Sequence, residues 1–276
     1  MTDFLEQMAE VGHARVRVSR ERRSERVLTE KIAALAPTKP LPFNDGFRVI
    51  AEIKGHSPAE GELADAASLD RPAQARQYAD GGAMAISVLT EETRFAGSLE
   101  HLADVSNSLN EAGPPTMRKD FIVADYQLLE ARLAGAGGVL LIVAMLTDEA
   151  LARMVGLCRS LGLFILLECF DAEDIHRAEQ LLQVPAATDL IDSAQFMLGV
   201  NTRNLRTLEV DPDRLEQLAP LLPDGVLRVA ESGLKVPADA ARVKSFGYQA
   251  ALIGTALMRS DNPTAMLRSF IQAGSA

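Results

Sequence analysis

Cysteine is nearly missing from this 276-residue chain: Cys158 and Cys169 are the two, and neither belongs to a C-x-x-C pair. A disulfide framework is excluded, and a reducing cytoplasm is the expected setting. Long apolar runs are missing too, since none approaches the ~18 residues of a membrane span, and residues 1–10 lack the basic-then-apolar pattern of an export signal. Neither a membrane nor export is expected. There is no excess of base: Lys and Arg number 28 against 38 Asp and Glu, a formal net charge of −10. A general affinity for nucleic acid needs the opposite balance. Histidine is sparse, and His13, His56, His101 and His176 show no H-x-x-x-H spacing or paired carboxylates, so no metal is expected. A G-x-S-x-G elbow and a G-x-G-x-x-G turn are both absent, which speaks against a serine hydrolase and a dinucleotide-binding sheet.

What is present begins with hydrophobic content of 47%, enough in a chain of this length for a large core without cross-links. Apolar runs rich in Val, Ile and Leu recur at 49–53, 83–89, 115–117, 139–143, 163–167, 196–200, 226–230 and 250–253. They do not alternate with polar residues, which suits strands covered on both faces. Between them lie segments of helical spacing, several ending in Gly81-Gly82, the glycines of 135–138, Gly162 or Gly247, where a helix terminus needs a left-handed residue. Strand onsets are spaced by roughly 23 to 35 residues, the repeat of an α/β (β/α)8 barrel. An open doubly wound sheet is the competing architecture.

Residues 1 to about 36 have helical periodicity, ended by Pro37, Pro40 and Pro42. The chain is therefore expected to form one barrel domain over 1–276, of which 1–47 is an N-terminal helical extension and lead-in that packs on the barrel. Its basic stretch, 15–26, is interrupted by Glu21 and Glu25 and reads as a solvated helix face with i,i+4 pairs. The longest irregular loop expected is 184–195.

Five polar clusters finish the apolar runs: Glu52 with Lys54, Lys119 with Asp120, Glu168, Asn201 with Arg203, and Glu231 with Ser232-Gly233. Buried strands seldom end in charge, and barrel enzymes draw their reacting groups from these strand ends. Glu52 and Lys54 are two residues apart and share one face of a strand. Lys119 lies in Arg118-Lys119-Asp120-Phe121, which reads about equally well as a solvated loop cluster. Glu168 suits a general base, and Asn201 and Arg203 suit holding oxygens in fixed geometry. Ser232-Gly233 and Gly254-Thr255 suit an anion cradle, since small residues let backbone N–H groups approach a phosphate. Phe95 and Phe121, just past the second and third strands, read as core or as a platform for a ring.

In this order the clusters resemble the indole-3-glycerol phosphate synthase family of tryptophan biosynthesis, from about residue 49 to 259. The matching motifs are Ile50-Ala51-Glu52-Ile53-Lys54 with Ser57-Pro58, Ile86-Ser87-Val88-Leu89-Thr90-Glu91 with Phe95-Ala96-Gly97-Ser98, and Lys119-Asp120-Phe121-Ile122. They continue through Gly199-Val200-Asn201-Thr202-Arg203-Asn204-Leu205, Ala230-Glu231-Ser232-Gly233 and Leu252-Ile253-Gly254-Thr255-Ala256-Leu257-Met258.

The resemblance implies a cofactor-free ring closure of 1-(2-carboxyphenylamino)-1-deoxyribulose 5-phosphate to indole-3-glycerol phosphate, with loss of carbon dioxide and water. It implies Lys119 as general acid and Glu168 as base, with Lys54 against the substrate and sharing acid duty. Glu52, Asn201 and Glu231 would orient the lysines and sugar hydroxyls, and Arg203 would steady the anthranilate side. Phe95 and Phe121 would flank the ring with Leu205 in the same pocket, and Ser57, Ser232, Gly233, Gly254 and Thr255 would take the phosphate. The only partner expected is this small phosphorylated substrate, with the protein a monomer or weak homodimer. Ala59-Glu60 and Thr93-Arg94 depart from the family pattern, and 184–195 is longer than usual. Another phosphosugar barrel, such as phosphoribosylanthranilate isomerase, and an inactive barrel kept as a binding partner are the alternatives.

Overall fold

A computed structural model describes residues 4–42, 45–57, 61–62, 69–109, 112–207 and 209–276, with the backbone alone at 56, 57 and 62. Eight parallel strands close into a barrel: β1 Arg48–Ile53, β2 Ala85–Leu89, β3 Thr116–Lys119, β4 Gly138–Ile142, β5 Phe164–Cys169, β6 Phe196–Asn201, β7 Leu227–Glu231 and β8 Ala250–Ile253. Each strand pairs with its neighbours in sequence, and β8 returns to β1 through Arg48↔Ala250 to Ala51↔Ile253. The open sheet is thereby ruled out. Nearly every strand residue is buried because alternate side chains face two different apolar layers. Ile50, Met117, Leu140, Leu166, Met197 and Leu252 fill the barrel, while Val49, Ile86, Val139, Ile165, Leu198 and Ile253 meet the surrounding helices.

The helices end where the sequence places the glycines. Gly82 (φ 90°) and Gly162 (φ 70°) close Arg71–Gly81 and Asp148–Leu161 in the left-handed region. Two elements differ from expectation. Residues 185–192, read as loop, form the helix Pro185–Asp192, with Pro at its first turn and Ala187 and Leu190 buried. The N-terminal segment is two helices, α1 Phe4–Arg22 and α2 Glu25–Ile32, parted at Ser24, whose backbone is extended.

Packing decides which end of the barrel α1 covers. Leu5 and Met8 join the interior cluster that contains Phe121 and Ile142, Phe4 meets Phe121 edge-on at 5.8 Å, and Gly12 abuts Val123. Phe121 and Val123 follow the C-terminal end of β3, so α1 lies over the end of the barrel where the charged clusters converge. Tyr126 then ties down its far end, its hydroxyl donating to the carbonyls of Ser19 and Arg23.

Candidate active site

A cavity of about 770 Å³ opens at the C-terminal ends of the strands. Its wall contains Glu52, Lys54, Phe95, Lys119, Phe121, Asn201, Arg203, Leu205, Glu231, Ser232, Gly233, Gly254 and Thr255. One described residue singled out in the sequence, Glu168, is not in that wall. The side chain of Ser57 lies outside the described residues, as does Ala59-Glu60. Glu168 is fully buried and meets the cavity only through neighbours: Asn201 Nδ2 donates to its Oε2 at 3.0 Å, and Lys119 Nζ stands 3.9 Å from the same oxygen.

Strand register explains the grouping. Glu52, Lys119, Glu168, Asn201 and Glu231 sit at the last inward-facing positions of β1, β3, β5, β6 and β7, and Asn201 pairs in register with Glu231. Lys54 lies one residue beyond β1 and closes on Glu52 Oε1 at 2.8 Å. Gly254 makes room for that pair, because a Cβ there would stand 2.4 Å from Glu52 Oε1 and 3.1 Å from Lys54 Nζ. Burial alone would raise the Glu52 pKa, but Lys54 and Lys119 outweigh it and hold the carboxyl below its ordinary range. Burial would likewise lower Lys119, yet Glu168, Glu52 and Glu231 hold its ammonium above the usual lysine value. Lys119 thus stays charged and surrounded by acceptors.

The opposite rim is made of backbone. Ser232 (φ 66°) and Gly233 (φ 80°) are consecutive left-handed residues after β7, and the short helix Thr255–Met258 begins directly after β8 and Gly254. A concavity of this kind turns backbone N–H groups toward an anion. On the aromatic side, Phe95 and Phe121 are 6.3 Å apart and tilted by 48°. Glu91 fixes the first of them by capping the turn Glu92–Phe95, accepting from the amides of Thr93, Arg94 and Phe95.

Beside Lys119 lies a network that the sequence did not disclose. Asp120, for which a solvated loop cluster is one of two even readings of the sequence, is buried and accepts from Thr90 Oγ1 at 2.8 Å, Arg118 Nη2 at 2.8 Å and Arg15 Nη2 at 2.6 Å. Arg15 is therefore not part of a solvated face, in contrast to Arg26, which makes the expected i,i+4 pair with Glu30. Through Arg15, α1 is bonded to the residue next to Lys119. A charged residue on a helix gives no signal of a partner 105 positions away.

Burial tends to raise Asp120, but Arg118 and Arg15 prevail and its carboxyl lies below the ordinary aspartate range. A depressed carboxyl stabilises the fold above its unfolded pKa of about 3.9, and that contribution is lost as pH falls through the lower folded value. The expected result is a urea midpoint that drops as pH is taken below ~4, and drops less steeply in Asp120→Asn. Equal slopes for the two proteins would contradict the role given to this network.

The profile of the indole-3-glycerol phosphate synthase family matches residues 5–270. The chain belongs to that family. Over 255 residues it is 44% identical to the indole-3-glycerol phosphate synthase of Nocardioides sp., spanning 90% of this chain and 91% of that protein. Over 271 residues it is 38% identical to indole-3-glycerol phosphate synthase 1 of Streptomyces coelicolor, spanning 96% and 92%. Among solved structures, thiamine phosphate pyrophosphorylase from Pyrococcus furiosus superposes with a TM-score of 0.57 at 14% identity, covering 82% of this chain and 95% of that one. That last likeness is one of fold alone. Membership places the chain among carboxy-lyases of tryptophan biosynthesis, on a (β/α)8 barrel.

Proposed function

We propose that the protein converts 1-(2-carboxyphenylamino)-1-deoxyribulose 5-phosphate to indole-3-glycerol phosphate, carbon dioxide and water. The observation that carries this reading is a charged lysine, Lys119, set between buried carboxylates on one side of a cavity that has an anion-suited rim on the other. The substrate's phosphate fits the amides around Ser232-Gly233 and Gly254-Thr255, and its aromatic ring fits against the Phe95 and Phe121 side of the cavity. Lys54 and Arg203 then meet its carboxylate, so a protein that is acidic overall presents a local positive field to an anionic substrate.

Ring closure forms a carbon–carbon bond to the ribulose carbonyl and puts negative charge on its oxygen. Lys119 supplies the proton that neutralises it. Loss of carbon dioxide returns an electron pair to the ring, and departure of the hydroxyl as water accompanies removal of the anilino proton, which passes to the Glu168 side of the site; nitrogen regains a proton as the neighbouring methylene loses one, which leaves the indole. Asn201 holds Glu168 in place. Two buried free cysteines and a phosphorylated metabolite as substrate suit a cytoplasmic enzyme.

The test is direct. Incubating the protein with the carboxyphenylamino substrate should produce indole fluorescence, because ring closure alone creates that chromophore. Absence of indole, with turnover of phosphoribosylanthranilate instead, would reassign the site to isomerisation.

A further inference from the structure

Three carboxyl oxygens on β5 and β7, the strands either side of β6, are buried without a donor: Glu168 Oε1, Glu231 Oε1 and Glu231 Oε2. The Glu168 and Glu231 carboxyls are nevertheless within hydrogen-bonding reach of each other. Two carboxylates have nothing to donate, so that contact becomes a bond only when one of them carries a proton. The backbone is shaped for it. Gly199 lies between them on β6, in register with Glu168, and a Cβ there would stand 2.0 Å from Glu231 Oε1. Any other residue would occupy the place of the Glu231 carboxyl.

The two acids also differ in access. Glu231 reaches the cavity wall, whereas Glu168 is sealed behind it with its other oxygen held by Asn201 and Lys119. We propose that the two carboxyls share one proton over Gly199, with Glu231 entering the reaction as a carboxylic acid that faces the substrate and Glu168 as the anion behind it. The groups facing Glu231 are Glu168 from β5, Lys119 from β3 and Glu52 from β1. Burial and the Glu168 charge push the Glu231 carboxyl well up, and Lys119 offsets only part of that. Cys169, beside Glu168 on the helical face of β5, stays a thiol because burial raises it well above the usual range. With the proton in place, two ammoniums, Lys54 and Lys119, balance two carboxylates, Glu52 and Glu168. Without it the cluster carries an extra negative charge toward an anionic substrate.

This inference rests on the reaction proposed above and assigns a further catalytic residue to it. The carbonyl oxygen must receive two protons, one at ring closure and one when the carbon–oxygen bond breaks and water leaves. One is given back when a C–H bond of the methylene beside nitrogen breaks, the nitrogen ending with its own hydrogen. Lys119 provides the first, and Glu231 provides the second to the departing hydroxyl. The proton released from that methylene then returns to the carboxyl pair, so one proton is drawn from solvent per turnover, to recharge Lys119. Atoms and charge balance, since the substrate carboxylate leaves as neutral carbon dioxide.

Infrared spectroscopy of the substrate-free enzyme near neutral pH is the first test. It should show the C=O stretch of a protonated carboxylic acid that is absent from Glu231→Gln and shifted in Gly199→Ala, a change that removes no titratable group. The absence of such a band from the wild type, or its persistence unshifted in both variants, overturns the proposal. The second test is a single turnover with enzyme in excess, following carbon dioxide and indole together. In Glu231→Gln, carbon dioxide should appear well before indole, with indole formation slowed by roughly 10²-fold, the usual worth of a positioned acid. Equal slowing of both products, or of neither, would refute a role in dehydration. A wild type that yields neither product overturns the assigned reaction instead, whatever the spectrum shows.

Discussion

Replacing Lys119 with methionine is expected to lower turnover by roughly 10²-fold or more, the range for losing a positioned general acid, while the circular dichroism of the barrel is retained. The argument rests on position. Lys119 is the inward-facing end of β3, borders the cavity and is kept protonated by Glu168, Glu52 and Glu231. Methionine preserves the aliphatic stem and removes the only atom that can give a proton. Lys119→Arg separates two meanings of that loss. A guanidinium keeps the positive charge beside Glu168 but does not release a proton in a protein. If Lys119 acts as an acid, arginine should be nearly as inactive as methionine. Recovery of most of the wild-type kcat by arginine would show that charge alone suffices and would remove the acid role.

The largest stability effect is expected one residue earlier. Arg118 is 1% exposed, and its guanidinium donates to Asp120, Thr90, the carbonyl of Gln127 and Glu130. Arg118→Met leaves Glu130 and a backbone carbonyl without their donor and strips Asp120 of one of two cations. Breaking a buried pair from one side typically costs about 3–5 kcal/mol. Because Arg15 still holds Asp120, the lower end of that range, ~3 kcal/mol, is expected from urea unfolding. A loss below ~1 kcal/mol would mean that the network behaves as a surface pair. Since Asp120 adjoins Lys119, the variant should also lose activity before it loses its fold as urea is raised.

The strands were legible because a barrel strand is covered twice, once by its own interior and once by helices, so its composition is apolar throughout. Their functional ends were legible for the converse reason: Glu52, Lys119, Glu168, Asn201 and Glu231 interrupt those runs where burial penalises charge. Other features could not be read. Arg15 sits on an amphipathic helix among other arginines, and only folding brings it to Asp120. The helix Pro185–Asp192 is too short for periodicity to distinguish it from a loop. Glu168 and Glu231 look equivalent in sequence, each a glutamate closing an apolar run, yet one is sealed behind the cavity wall and the other forms part of it. That distinction depends on the missing side chain of Gly199, and a glycine inside a strand announces close approach without naming what approaches.

The return of β8 to β1 also bears on synthesis. A ribosome delivers β1 first, and its partner across the closure only after some two hundred residues more have emerged, with Ser275 on the last helix accepting the amide of Phe47 just ahead of β1. Until then the nascent sheet has two bare margins, at β1 and at the strand last added, each a row of open amides and carbonyls able to pair with any neighbouring chain. Ring closure of the polypeptide, like ring closure of its substrate, is a late event on which everything useful waits.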